Sequence, residues 1–262
     1  MFLRSIAYLS ETLPEGYPFS VPVIQSLESL SFSNPVTFLV GENGCGKSTL
    51  IEAIACGLKC PAVGAADVTS DPMLEPARRL AASLRFSKSS NPRVKLFFRA
   101  EDAIGFTRSV ESNLQALADM ESEFDESLEG YGRDLAIGAI RRQQSALTAR
   151  YGDNPDACSH GEWFINLIRE RVHSKGLYLL DEPETPLSPI HQLTLLSIIK
   201  ETTAMGAQFI IATHSPILMA SPGADIYSLD GTEIEKTAWQ DVEHVAITRA
   251  FLADPEGFLQ HL

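Results

Sequence analysis

The sequence predicts an α/β fold built around a parallel sheet. Three apolar runs, VTFLV at 36–40, LYLL at 177–180 and FIIA at 209–212, have the length of buried strands. Helix-like segments follow the first two, at Ser48–Leu58 and about Pro189–Met205, and strands alternating with helices at this spacing point to parallel pairing. A glycine-rich turn joins VTFLV to the first of these helices.

The remaining elements follow in chain order. The opening MFLRSIAYLS holds one Arg and no cleavage-like site, and no window approaches 18 uninterrupted apolar residues, so neither a secretory leader nor a membrane span is expected. Arg93–Arg99 (RVKLFFR) reads as a strand. Leu114, Leu117, Met120, Phe124 and Leu128, spaced three and four apart, read as a helix, which places the change from β structure to a helical lobe near residue 107. Ile226–Ile234 reads as a hairpin turning at Asp230–Gly231. There is no internal repeat and no low-complexity tract.

Composition sets the outer bounds. The 262 residues are 44% hydrophobic, enough for one large core or two small ones. A net charge of -13 excludes a protein whose whole surface grips a polyanion. The charge is uneven: residues 78–108 hold eight basic residues against Glu101 and Asp102, a local +6, and residues 111–134 hold eight acids against Arg133. The positive window is either a nucleic-acid patch or the solvent face of an edge strand carrying Arg93, Lys95 and Arg99. The four cysteines, at 45, 56, 60 and 158, form no CxxC pair and no disulfide framework, which fits a cytoplasmic setting.

The turn after VTFLV is Gly41-Glu42-Asn43-Gly44-Cys45-Gly46-Lys47-Ser48, with Thr49 next, a full match to GxxxxGK[ST] in the strand–helix context the motif requires. Glycines let backbone N–H groups curl around phosphates, and the helix N-terminus adds partial positive charge. Lys47 is placed to reach the β- and γ-phosphates, and the Ser48 hydroxyl to ligate Mg²⁺. A P-loop needs a carboxylate at the end of a neighbouring strand, and LYLL ends in Asp181-Glu182. Asp181 is expected to hold Mg²⁺ and Glu182 to polarise the attacking water.

GENGCGKST, then Cys158-Ser159-His160-Gly161-Glu162, LYLLDEPE and Ala212-Thr213-His214-Ser215 resemble the P-loop, signature, Walker B and switch-histidine motifs of ABC-type ATPases, in that family's order. The resemblance spans about residues 30–220. It implies an ABC-type P-loop fold with a parallel core sheet, an N-terminal antiparallel β subdomain within residues 1–106, a short helical signature lobe over 107–173, and the Walker B and switch-histidine part over 174–262. Within the superfamily, Glu162 and the opening GENGCGKST lean toward the stand-alone, non-transporter ATPases related to SMC-like and RecF-like proteins. The family dimerises head to tail. Ser159, His160, Gly161 and Glu162 are therefore expected to face the γ-phosphate held by the other copy, with His214 contacting it from its own side and Glu182 as general base.

Ser159 at the head of a Ser-x-x-Glu run also reads as a helix cap. The signature has His160 where the family has Gly, and Pro183-Glu-Thr-Pro-Leu-Ser188 lacks the family's cross-dimer aspartate. Glu101, after the Arg93–Arg99 strand, is nominated as a metal or water contact, with an exposed Glu as the alternative. Tyr17 is nominated for adenine stacking, against core packing for Tyr17 and Phe19.

The reading of function is a magnesium-dependent ATPase that closes as a homodimer on two ATP and couples closure to a protein or DNA partner, without membrane insertion. The alternatives are an ATP-gated nucleic-acid-binding module with little turnover and the nucleotide-binding subunit of an ABC transporter. A P-loop small-molecule kinase leaves the signature and the Thr213-His214-Ser215 motif without a role.

Overall fold

The computed structural model describes residues 1–10, 12–63, 68–151 and 160–260, with backbone alone for 101–111, 149–151 and 160. In chain order the elements are β1 (Leu3–Tyr8), α1 (Pro22–Gln25), β2 (Ser29–Ser31), β3 (Val36–Val40), α2 (Lys47–Leu58), α3 (Glu75–Ala82), β4 (Leu84–Lys88) and β5 (Val94–Arg99). There follow α4 (Ala100–Ser127), α5 (Gly130–Tyr151), α6 (His160–Arg171), β6 (Gly176–Asp181), α7 (Pro189–Ala204), β7 (Gln208–Ala212), α8 (Pro216–Met219), β8 (Asp225–Ser228), β9 (Glu235–Thr237), α9 (Glu243–Ala253) and α10 (Pro255–Leu259).

Among the described residues the strands make two sheets. The larger runs β5-β6-β7-β3-β8-β9 and is parallel except for β9, which turns back on β8. Every residue of β3, β6 and β7 is buried, because helices or the second sheet cover both faces, and this is why those strands read as unbroken apolar runs. On one face Leu39, Leu177, Leu179 and Ile210 pack with Leu50, Ile51 and Ile54 of α2. On the other face Phe38, Tyr178, Leu180 and Ile211 pack with Trp163 and Phe164 of α6 and Leu195 and Ile199 of α7. The Phe98 and Phe164 rings meet at 4.4 Å between centroids, fixing α6 to the edge strand.

The second sheet, β2-β1-β4, is antiparallel, as expected of the N-terminal part. It packs into the α2 side of the core through Leu3, Ile6, Leu30 and Leu84. The buried Gln208 side chain ties it to the main sheet. Phe2 N and Leu3 N donate to Gln208 Oε1 at 2.7 and 3.0 Å, and Gln208 Nε2 donates to the Leu3 carbonyl at 2.9 Å.

Three local expectations shift. The handover to helix comes at Ala100 rather than near residue 107, because β5 ends where Arg99 turns inward to Asp71 Oδ2 (3.1 Å) and Glu52 Oε1 (3.6 Å). Arg99 is thus buried, not part of a solvent face, although β5 is an edge strand. The 225–237 hairpin has a wider loop than Asp230–Gly231, since β8 ends at Ser228 and β9 starts at Glu235, and the Asp230 side chain accepts from Glu42 N.

The helical lobe contains α4 and α5 as an antiparallel pair. Arg141 Nε donates to Glu121 Oε1 at 2.7 Å, and Arg133 pairs with Asp125 nearer the turn. Of the positive window, Arg99 is buried, Lys95 Nζ donates to the Leu58 carbonyl at 2.6 Å, and Arg78 donates to the Val68 and Asp71 carbonyls. Among the described residues no helix is long and apolar enough to cross a membrane.

Candidate nucleotide site

Parallel strands all point their C-terminal ends to one edge of the sheet, and there three neighbouring strands carry the predicted residues: β3 leads into the P-loop, β6 ends in Asp181-Glu182, and β7 leads into Thr213-His214. Ladder bonds continue past the strand ends. Glu182 N donates to the Ala212 carbonyl at 2.9 Å, and Thr213 N to the Leu39 carbonyl at 3.2 Å, so the three loops hold one another in register.

Gly41, Gly44 and Gly46 have φ of 143°, 84° and 108°, a left-handed run that turns the loop back over the start of α2. Gly41 has a second reason to lack a side chain, since a Cβ there meets Asp230 Oδ1 and Cys45 Sγ, both at 2.8 Å. Glu42, Asn43 and Gly44 are exposed at the crest, and Cys45 is half-buried beneath it. Lys47, 4% exposed, lies back along the loop and donates from Nζ to the Gly41 carbonyl at 2.7 Å and the Glu42 carbonyl at 2.8 Å. A single ammonium thus fixes the loop's curvature from inside.

Ser48 Oγ donates to Asp181 Oδ1 at 3.2 Å. Burial pushes the Asp181 carboxyl up to about 7, helped by the charges of Glu52 and Glu182 and opposed by the Ser48 hydrogen bond and Lys47. A part-buried hydroxyl–carboxylate pair of hard oxygens suits Mg²⁺, which binds few protein ligands and keeps phosphate and water oxygens for the rest. The described residues contain no cluster of three His, Cys, Asp or Glu placed to hold a metal.

Glu182 has φ of 49°, a strained conformation for a residue with a Cβ, and strain of this kind gathers at functional sites. Its Oε1 lies 3.9 Å from His214 Nε2. His214 Nε2 is buried without a hydrogen-bond partner among the described residues. Burial lowers the His214 pKa and Lys47 lowers it further, with Glu182 and Asp230 acting in the opposite sense. The His214 ring also lies 5.8 Å from that of His244, on the first turn of α9.

Sequence reasoning did not single out Glu184, the third acid of Asp181-Glu-Pro-Glu184. His214 N donates to its Oε1 at 2.6 Å, Thr213 hydrogen-bonds it as well, and burial raises its pKa. It is the support on which the switch-histidine loop rests, and the DEPE string was the available signal. Gln192 and His244 were missed for want of any local motif, and Asp230 was read only as a turn residue; Gln192 Oε1 accepts from Ser215 Oγ at 2.6 Å.

The other nominated residues stand as follows. Tyr17 is 54% exposed, with its hydroxyl 3.0 Å from Thr49 Oγ1, whereas Phe19 is 3% exposed beneath Arg79, so only Phe19 is core. Glu101 lies on the first turn of α4, its side chain outside the described residues. Cys158 and Ser159 lie outside the described residues, and His160 opens α6 with its side chain likewise undescribed. Gly161 is buried where a Cβ meets His191 Nδ1 at 2.6 Å and the Pro186 carbonyl at 3.0 Å, so the signature helix docks closely on the start of α7. Glu162 is exposed on its first turn. Ser188, where the family's aspartate is missing, caps α7 by accepting from His191 N at 3.4 Å. The structure therefore brings Lys47, Ser48, Asp181, Glu182 and His214 together, with Gly161 and Glu162 on a separate element.

Residues 21–148 match the family described as "AAA domain", and residues 164–220 the one described as "AAA domain, putative AbiEii toxin, Type IV TA system". The chain is 30% identical over 246 residues to the cobalt import ATP-binding protein CbiO of Salmonella paratyphi A, covering 88% of this chain and 83% of that protein. It is 29% identical to the cytochrome c biogenesis ATP-binding export protein CcmA of Paramagnetospirillum magneticum, over 73% of this chain and 80% of that one. Among solved structures, CbiO1 of Clostridium perfringens overlays at TM-score 0.46 with 14% identity, covering 100% of both chains. The Smc head domain of Pyrococcus furiosus overlays at TM-score 0.43 with 11% identity, covering 95% of this chain and 99% of that one. Overlays this loose have no bearing on function.

Proposed function

Because the chain belongs to the ATP-binding ABC-type ATPases, we propose that it binds magnesium ATP and hydrolyses it to ADP and phosphate at a site completed by a second copy. One observation carries this reading: a P-loop lysine, a serine–aspartate oxygen pair, a glutamate and a histidine converge at the ends of three adjacent parallel strands. Lys47 would leave the Gly41 and Glu42 carbonyls for the β- and γ-phosphates, and Ser48 and Asp181 would hold Mg²⁺, which when bound would supply neutralisation of the phosphate charge. Glu182 takes the proton from the attacking water. His214, with Nε2 unused among the described residues, contacts the γ-phosphate. Tyr17, exposed beside the start of α2, stacks on the adenine. Ser159, His160, Gly161 and Glu162 of the second copy complete the site, and the working location is the cytoplasm.

Phosphate release should require magnesium and rise more than linearly with protein concentration. Glu182→Gln should keep ATP binding and lose turnover by roughly a hundredfold, the scale of a general base. Unchanged turnover in that variant sinks the assignment.

The partner has two readings. The GENGCGKST opening and Glu162 favour a stand-alone ATPase acting on a soluble partner. The matched proteins, named for import and export, favour a nucleotide-binding subunit seated on a membrane permease. A DNA-binding role has less behind it, with Arg99, Lys95 and Arg78 bonded within the fold. Glu182→Gln, trapped in the closed state and recovered from detergent-solubilised native cells, separates the readings by whether a membrane protein or a soluble partner comes with it.

A further inference from the structure

At the opposite end of α2 from the P-loop, a cavity of about 310 Å³ opens between the N-terminal sheet and the main sheet. The 12 residues of α2 put it roughly 18 Å from the phosphate end. Phe2, Leu3, Leu58 and Leu177 form an apolar floor, the loop 90–92 closes one side, and the charged groups lining the cavity are Lys88 and Lys95. In a chain of net charge -13, this lining has two ammonium groups and no carboxylate. Lys95 Nζ uses one donor on the Leu58 carbonyl at 2.6 Å, and an ammonium has three.

A cleft at the lower end of the ligand-site size range, with an apolar floor and two lysines in its lining, fits a small molecule better than a macromolecule. We propose that this cavity binds a small amphipathic monocarboxylate, its carboxylate between Lys88 and Lys95 and its hydrocarbon body on Phe2, Leu3, Leu58 and Leu177. The site is separate from the nucleotide site and does not depend on the function assigned there. Charge decides against a neutral lipid or alcohol of the same shape, which leaves the ammonium groups without an anion. Size decides against long acyl chains.

The test is calorimetric titration of the full-length protein, without nucleotide, with hexanoate, octanoate and decanoate. The dissociation constant should fall roughly fourfold per buried methylene and level off when the cavity is full. Lys88→Met and Lys95→Met should each weaken octanoate binding roughly tenfold or more, the loss of one charge-assisted hydrogen bond. Lys88 is exposed at the end of β4, so its variant keeps the fold even if Lys95→Met does not. Octanol should bind more weakly than octanoate. The proposal is overturned by no saturable binding up to about 5 mM octanoate, by binding that Lys88→Met leaves unchanged, or by octanol matching octanoate.

Discussion

Replacing Gln208 by Leu removes the joint between the two sheets at nearly constant side-chain size. Gln208 is fully buried, and its amide completes three hydrogen bonds with backbone groups of Phe2 and Leu3, which are 8% and 0% exposed. Leucine leaves two N–H groups and one carbonyl without partners. Each buried orphan costs about 1–3 kcal/mol. Two to three such orphans, at about 1.5–2 kcal/mol each, give about 3–6 kcal/mol. For a chain of this size, 1 kcal/mol moves the melting temperature by roughly 2–4 °C, so a fall of roughly 6–24 °C is expected. Thermal unfolding followed by circular dichroism reads the shift. Amide hydrogen exchange localises it, with protection lost at Phe2 and Leu3 before the β6–β7 ladder. A fall below about 2 °C, or unchanged exchange at those two amides, refutes the reasoning.

The remaining predictions concern the site, the thiols and acid stability. Glu184→Ala removes the acceptor of the His214 N–H and should lower kcat roughly tenfold or more while changing ATP affinity far less; equal losses in both would show that Glu184 serves binding instead. Burial pushes the thiols of Cys56 and Cys60 up to about 11 and about 12, so neither should react with iodoacetamide at pH 8 until the protein is unfolded in urea. Cys45, half-buried in the P-loop, should be labelled slowly, and more slowly still with ATP present. For Asp225, burial pushes the carboxyl up, but hydrogen bonds from Lys236 and Asn34 more than offset it and hold the pKa below 3.8. A carboxyl whose folded pKa is depressed adds stability above its unfolded pKa and loses it as pH falls through the folded value. The gap in urea midpoint between the parent and Asp225→Asn should therefore be full at pH 6 and shrink below about pH 4. A gap independent of pH would exclude the carboxylate charge as its source.

What could be read from residues alone follows from the range of the interactions involved. β3, β6 and β7 were visible because strands buried on both faces are apolar throughout, and the P-loop because one contiguous motif carries all its chemistry. β1 was not individually visible. Its alternation is imperfect, and its partner β4 lies some 80 residues away with no turn to announce the pairing. Gln208 precedes FIIA with nothing local to mark it, since its bonding partners sit more than 200 positions earlier. Arg99 reads as an exposed basic residue until Asp71 and Glu52 are brought beside it by α2 and the turn before α3. Glu184 differs from these: its string was in plain view, and only the return of His214 N onto its carboxylate distinguishes it from a surface acid.

The place of β3 between β7 and β8 has a consequence for biogenesis. The P-loop strand is the first of the parallel strands to be synthesised, yet both of its neighbours lie about 170 residues or more further along the chain. At roughly 5–20 residues per second, the ribosome leaves VTFLV with two open edges for roughly 10–30 s. During that interval the phosphate loop has no β7 ladder to hold it, and the Thr213 N bond to the Leu39 carbonyl forms only after residues 208–228 have emerged. The exposed apolar strand is where a chaperone has most reason to act.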